Sequence, residues 1–256
     1  MDKIISIYKP VGKTPLQMVE ELRKRFPDIA NEKLGFAGRL DPMAEGLLLV
    51  LIGEENKKRN FYERLPKEYV FDILFGITTD TYDSLGLITK IHLYDKVDFD
   101  EEKIEKFMKL LVGSWQQNYP PYSSPRINGK PLFYWAREGR LSEILIPSKM
   151  VEVYSIKKIG ISVVDIEDLA IRNEKIIASV LGEFRQIEII KKWKLACQEN
   201  LNASFISLKI QISVSSGTYV RSICHDLGEK VGLGAIALSI KRTRIGDFKA
   251  EKALYL

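Results

Sequence analysis

Apolar positions along the chain fall into segments of helical spacing and segments of strand spacing. Thr14-Pro15-Leu16-Gln17 has the form of a helix start, with Thr14 as the cap, Pro15 at the first helical position and Gln17 closing a capping box. Leu16, Val19, Leu22 and Phe26 then share one face, so the spacing predicts a helix that ends before Pro27. Leu47 to Ile52 is a short apolar run ending at Gly53 and reads as a buried strand, and Tyr69, Phe71, Ile73 and Phe75 alternate as another. Asp100 predicts the cap of a helix that carries Ile104, Phe107, Met108 and Leu111 and stops at Gly113. Gln116 to Lys130, rich in Pro, Ser, Asn and Tyr, reads as an ordered loop, after which Pro131 opens a short helix to Gly139. Ile206, Leu208, Ile210, Ile212 and Val214 alternate without a break, then turn at Gly217 into a helix through Val220, Ile223 and Leu227 that closes near Gly232. Strands and helices interleave without a repeated unit, which predicts a mixed-sheet α/β or α+β domain.

Composition narrows this picture. The chain has 256 residues, 45% apolar and 29% charged, which suits one large globular domain or two small ones. The longest apolar run, Gly46 to Gly53, falls far short of the roughly 20 residues of a membrane helix. The start of the chain lacks the basic, apolar and small-residue order of a signal peptide, and the expectation is a cytoplasmic protein with no membrane partner. Two cysteines, Cys197 and Cys224, and two histidines, His92 and His225, occur without C-x-x-C or H-x-x-x-H spacing, so neither a zinc site nor a disulfide framework is expected. Cys224 and His225 read as packing residues. A net charge of +5 does not by itself select a polyanionic partner. The clusters Lys57-Lys58-Arg59, Lys191-Lys192-Trp193-Lys194 and Lys241-Arg242-Thr243-Arg244 could track a phosphate backbone if gathered on one face, or serve as separate solvated patches.

Most familiar catalytic constellations are missing. Gly12-Lys13-Thr14 has the ending of a P-loop, but Ile7 stands where the earlier glycine is required. There is no G-x-G-x-x-G and no G-x-S-x-G, and neither histidine lies in a glycine-rich turn. What remains is Leu34 to Gly46, in which glycines bracket Asp41 and proline follows it. Glycine permits close approach of a ligand and Pro42 sets the chain direction, so Asp41 is a candidate nucleophile or base, or else the acceptor of an Asx-type turn.

Lys9-Pro10-x-Gly12, the Gly35 to Gly46 segment, Lys67-Glu68-Tyr69, Thr79-Asp80-Thr81, Tyr122-Ser123 with Asn128-Gly129-Lys130, and Ser216-Gly217-Thr218-Tyr219-Val220-Arg221-Ser222 stand in this order. In that order and register the chain resembles, from end to end, the catalytic domain of the TruB family of tRNA pseudouridine synthases. The resemblance implies the pseudouridine-synthase fold, a central mixed and mostly antiparallel sheet flanked by helices and loops, as a single catalytic domain over 1–256. It implies an isomerase that detaches uracil from its ribose, rotates it and rejoins it through carbon 5, with no cofactor and no metal. The substrate it implies is the T-loop uridine of tRNA at position 55, flipped from its stack. The partner is then the T-arm of tRNA, bound by a monomer.

Asp41 matches the family's catalytic aspartate and Arg221 the arginine that pairs with it, and such a guanidinium lowers and orients a carboxylate. Tyr69 matches the aromatic residue that stacks on the flipped base. Ile240 matches an apolar position against that base, and Lys9 and Asp80 match supporting positions. Gly38, Arg39 and Tyr219 complete the substrate-binding set. Read from the residues alone, Tyr69 could be core, Arg221 could pair with Asp226, and Lys9 could be a surface lysine.

Three departures from the family pattern stand out. Phe36 occupies the place of a histidine associated with holding flipped-out nucleotides, and its ring could stack there instead. No C-terminal PUA-type RNA-binding domain follows within the sequence. Between Val153 and Phe205 the chain carries an extra segment, about 160–203, in which Ile176, Ile177, Val180, Leu181, Phe184, Ile187 and Ile190 have helical spacing. It reads as a helical lobe that supplies RNA contacts, or as an elaboration packed on the sheet edge. Competing with the T-loop synthase are an RNA-binding or tRNA-folding module with little catalysis and a synthase for another RNA.

Overall fold

The computed structural model describes residues 3–94 and 99–256. In chain order its elements begin with β1 (Ile4–Lys9), α1 (Pro15–Arg25), β2 (Leu34–Ala37), β3 (Ala44–Ile52), α2 (Arg59–Arg64) and β4 (Lys67–Phe75). Next come β5 (Ile77–Thr79), β6 (Ile88–Ile91), α3 (Glu101–Leu110), β7 (Gly113–Asn118), β8 (Arg126–Ile127), β9 (Lys130–Pro131) and α4 (Leu132–Arg137). The chain closes with β10 (Ser148–Asp165), α5 (Ile166–Ser179), α6 (Gln186–Glu199), β11 (Ser204–Val214), α7 (Val220–Val231), β12 (Ala235–Ile245) and β13 (Phe248–Lys249). Among the described residues, one nine-stranded sheet has the order β1-β3-β12-β4-β11-β10-β7, with β2 on β3 and β13 on β12. Only the β3–β12 pairing in it is parallel. This bears out the mixed, mostly antiparallel sheet.

The middle of the sheet is held by burial. Phe71, Ile73, Leu208, Ile210, Ala235 and Ala237 are fully shielded from solvent, and α7 lays Ile223, Cys224 and Leu227 on the same core. Each large aliphatic or aromatic side chain buried this way contributes about 1.5–3 kcal/mol. The two strands with the clearest alternation in the sequence, β4 and β11, lie side by side, with Tyr69 opposite Ile212 and Phe71 opposite Ile210. The capping box of α1 forms, since Thr14 Oγ1 accepts from the Gln17 amide and Gln17 Oε1 accepts from the Thr14 amide. Asp100 caps α3 through the Lys103 amide.

Three local expectations are corrected. Leu16 is 63% exposed, because the buried face of α1 is centred on Met18, Val19 and Leu22. At about 100° per residue Leu16 stands more than a right angle from that centre. Residues 116–118 are not loop but the end of β7, an edge strand whose Gln116 and Gln117 pair with Met150 and Lys149 of β10. An edge strand is held by backbone hydrogen bonds and needs no apolar alternation, so polar composition hid it. The extra segment is not continuously helical either. Residues 160–165 extend β10 along β11, and the apolar positions from Ile176 to Ile190 are split between two helices by a connection at 180–185, where Gly182 adopts φ 103°. α5 and α6 pack on a core of Leu74, Ile77, Phe205 and Ile236 through Ile166, Leu169, Ile177, Ile189 and Trp193. Among the described residues no helix is long and apolar enough to cross a membrane.

Candidate active site

Asp41 lies on the connection between β2 and β3, where backbone contacts set its position. The Ala44 amide donates to the Asp41 carbonyl at 3.0 Å, and the Gly12 amide donates to the Pro42 carbonyl at 2.8 Å, tying the Lys9–Gly12 turn to the same loop. Below it, β3 and β12 run parallel with Gly46 opposite Arg242. Gly46 has φ 110°, and a Cβ there would collide with the Arg242 backbone, so glycine is what lets the two strands approach. The approach carries the Arg242 side chain, 1% exposed, under the loop. Its Nε donates to the Leu47 carbonyl at 2.8 Å and its Nη1 to the Arg39 carbonyl at 3.0 Å. The cluster at 241–244 therefore places Arg242 in the lining of the cleft beside Asp41 rather than on an open surface.

Arg221 enters from the first turn of α7. Gln117 fixes the start of that helix by accepting from the Tyr219 amide at 2.8 Å and donating to the Tyr219 carbonyl at 3.0 Å. The guanidinium is 3% exposed, with Nη1 donating to the Thr81 carbonyl at 2.6 Å and Nη2 to the Tyr122 carbonyl at 3.2 Å. Its Nε is 2.9 Å from Asp41 Oδ2 and 3.5 Å from Asp83 Oδ2. Neither oxygen lies along the N–H direction, so these contacts are ionic rather than aligned hydrogen bonds. Burial pushes the guanidinium down, but Asp41 and Asp83 outweigh it and hold it above its ordinary value.

Asp83 reaches Arg221 because the loop after β5 reverses at Tyr82, a non-glycine residue at φ 63°. The Tyr82 ring stacks on His225 of α7 with centroids 3.7 Å apart, and its carbonyl accepts from the Ala237 amide at 3.0 Å. Asp83 Oδ1 accepts from Thr81 Oγ1 at 2.7 Å and from the Leu85 amide at 2.9 Å. Burial pushes the Asp83 carboxyl up to about 6, against the opposing pull of Arg221.

Asp41 and Arg221 line a cleft of about 450 Å³ together with Tyr69, Tyr219, Ile240, Gly38 and Arg39. Tyr69 of β4 and Ile240 of β12 present a flat, apolar wall suited to a planar ring. Burial pushes the Tyr219 hydroxyl up to about 12. A half-exposed carboxylate oriented by a buried guanidinium, beside such a wall, can attack or take a proton from a heterocycle stacked there. On the other side of Asp41 and Arg221 a second cavity, about 410 Å³, is walled by Phe133, Ile177, Phe184 and Arg185.

The structure thus brings Asp41, Arg221, Tyr69, Tyr219, Ile240, Gly38 and Arg39 to one cleft. Arg221 turns to Asp41 and Asp83 rather than to Asp226. Three expected residues stand elsewhere. Phe36 packs from β2 on the core beside α1, under the Arg59 guanidinium at 5.5 Å, and lines neither cavity. Lys9 is fully buried, donating to the carbonyls of Pro10 and Lys13 at 2.9 and 2.8 Å, and burial pushes its ammonium down to about 7 against the pull of Asp41. Asp80 pairs with Arg185, 2.7 Å away, and accepts from the Tyr122 hydroxyl at 2.9 Å. Asp83 was not anticipated. Its signal was a second aspartate three residues after Asp80 in a Thr-rich turn. Among the described residues, no group of three or more His, Cys, Asp or Glu side chains is placed to hold a metal ion.

Several known proteins are similar to this chain in sequence or fold. The chain is 33% identical over 257 residues to the tRNA pseudouridine synthase B of Clostridioides difficile (strain 630), covering 100% of this chain and 69% of that protein. It is 30% identical over 250 residues to the tRNA pseudouridine synthase B of Thermosipho melanesiensis, covering 98% and 66%. Its fold matches a chain in the crystal structure of a Cbf5-Nop10-Gar1 complex with a TM-score of 0.60 at 21% identity, over 99% of this chain and 52% of that one. The chain thus spans about two thirds of the length of these curated relatives and half of that solved chain. Residues 24–175 match the TruB family pseudouridylate synthase (N terminal domain), and with these relatives the match shows that the chain belongs to that family.

Proposed function

We propose that the protein converts a uridine of tRNA to pseudouridine, and that its target is the T-loop uridine at position 55. The observation that carries this is the 2.9 Å approach of the Asp41 carboxylate to buried Arg221 in the lining of the cleft, in a chain of this family. The reaction is an isomerisation: the bond from ribose C1′ to uracil N1 breaks, a bond from C1′ to C5 forms, and the proton on C5 leaves as N1 gains one. Asp41 takes part as the anion that meets the nucleotide, and Arg221, 2.9 Å from it, keeps it aimed. Tyr69 stacks on the flipped uracil, and Ile240 packs against the base from the same wall. Arg39, exposed at the rim, meets the phosphate backbone. The named activity of the relatives supports this reading. Carbodiimide primer-extension mapping on unmodified tRNA transcript tests it, with conversion of the T-loop uridine by wild type and none by Asp41→Asn as the expected result. Salt-dependent binding without conversion at any uridine would replace it with an RNA-binding module.

A further inference from the structure

Of the α5–α6 segment's side chains beside the active site, Arg185 makes the ionic link to it. Ile189 and Trp193 of α6 are each 1% exposed, and Trp193 Nε1 donates to the Gly86 carbonyl at 3.3 Å, which seats the helix on the loop after β5. Immediately before α6 the chain turns through Arg185 at φ 60°, a conformation that costs free energy in a non-glycine residue. The turn aims the guanidinium inward. Its Nη1 donates to Asp80 Oδ2 at 2.7 Å, and its centre lies 4.7 Å from the Tyr122 ring centroid. The same Oδ2 accepts from the Tyr122 hydroxyl at 2.9 Å, while Asp80 Oδ1 accepts from the Leu87 amide at 2.8 Å. Arg185 therefore joins the Asp80 loop to the Tyr122 loop.

Those two loops hold Arg221. One of its acceptors is the carbonyl of Thr81, the residue after Asp80, and the other is the carbonyl of Tyr122 itself. A shift of either loop moves the guanidinium that meets Asp41. Arg185 is 26% exposed and its charge already faces Asp80, which leaves little of it for a phosphate. We infer that Arg185 is a positioning residue for the reaction proposed above, an inference that rests on that reading. Through Asp80 and Tyr122 it sets the place of Arg221, and through Arg221 that of the Asp41 carboxylate. The extra segment is by this account a brace for the catalytic pair.

The test is single-turnover conversion of unmodified tRNA transcript as a function of enzyme concentration, for wild type, Arg185→Ala, Arg185→Lys, Asp80→Asn and the Arg185→Ala/Asp80→Asn double variant. Arg185→Ala should lower the rate at saturating enzyme about tenfold and leave the half-saturating concentration unchanged. Arg185→Lys, which keeps a donor for Asp80, should recover part of that rate. The double variant should lose less than the product of the two single losses, since both break the same contact. A wild-type saturating rate with a raised half-saturating concentration would make Arg185 an RNA contact and overturn the inference, as would fully multiplicative losses. Should Arg185→Ala fail to fold, the Lys variant decides, an intermediate rate supporting the inference and a wild-type rate overturning it. Wild type that converts no uridine would instead sink the proposed function, a failure seen without any variant.

Discussion

The loops that carry Asp41 and Asp83 deliver carboxylates to the same guanidinium, one side chain 41% exposed and the other 6%. Asp83 is sealed by Thr81 Oγ1 and the Leu85 amide, and burial has pushed its carboxyl up to about 6. Asp41 keeps an edge toward the cleft. A carboxylate that must meet a substrate needs an open approach, whereas one that must hold a cation in place is better enclosed and hydrogen-bonded. Arg221, between them, is shielded enough for both attractions to act at short range with little screening.

The largest effect expected from this contrast is that of Asp41→Asn, which should reduce single-turnover conversion by about 10³-fold or more while leaving the thermal midpoint nearly unchanged. Asp83→Asn should lower the rate by about 10–100-fold and also destabilise the fold, because the enclosed Thr81 hydroxyl and Leu85 amide lose their anionic acceptor. Equal losses with equal stability would mean that both carboxylates react, and the contrast would be lost. In wild type the saturating rate should decline as pH falls through about 6, where Asp83 takes up a proton and loosens its hold on Arg221. Asp83→Asn should flatten that limb.

Stability should move the other way. A carboxyl raised from 3.8 to about 6 contributes stability that is present below 3.8 and lost as pH rises through about 6. The urea-unfolding difference between wild type and Asp83→Asn should accordingly shift against wild type over that window. The smallest effect is that of Thr81→Val, which keeps the side-chain shape but removes the 2.7 Å donor to Asp83. It should cost about 1 kcal/mol in stability and a few-fold in rate. An unchanged rate would show that the Leu85 amide and Arg221 suffice to hold Asp83.

Much of the frame was readable because its causes are local. Thr14, Asp100, Gly217 and the alternation from Ile206 to Val214 act within a few residues of themselves, and α1, α3, α7 and β11 follow from them. Asp41 and Arg221 were identified by matched motifs, but their meeting depends on β3, β12 and α7 converging from distant parts of the chain. Asp83 is not legible in the sequence, because its direction depends on a left-handed Tyr82 whose ring stacks on His225 of another element. Phe36 was expected among flipped nucleotides, yet the pairing of β2 with β3 turns it toward the α1 side.

Periodicity, caps and glycine placement thus determined the elements, since each depends on neighbours in the chain or on one residue's own backbone freedom. Which charges share a site was decided only in three dimensions. Lys9 and Arg242 look in sequence like solvated cations and are buried, while Arg185, in a segment that looked peripheral, reaches Asp80. The physical reason is that a long charged side chain goes wherever acceptors are already assembled, and those acceptors are carbonyls and carboxylates brought together by the packing of distant strands and loops.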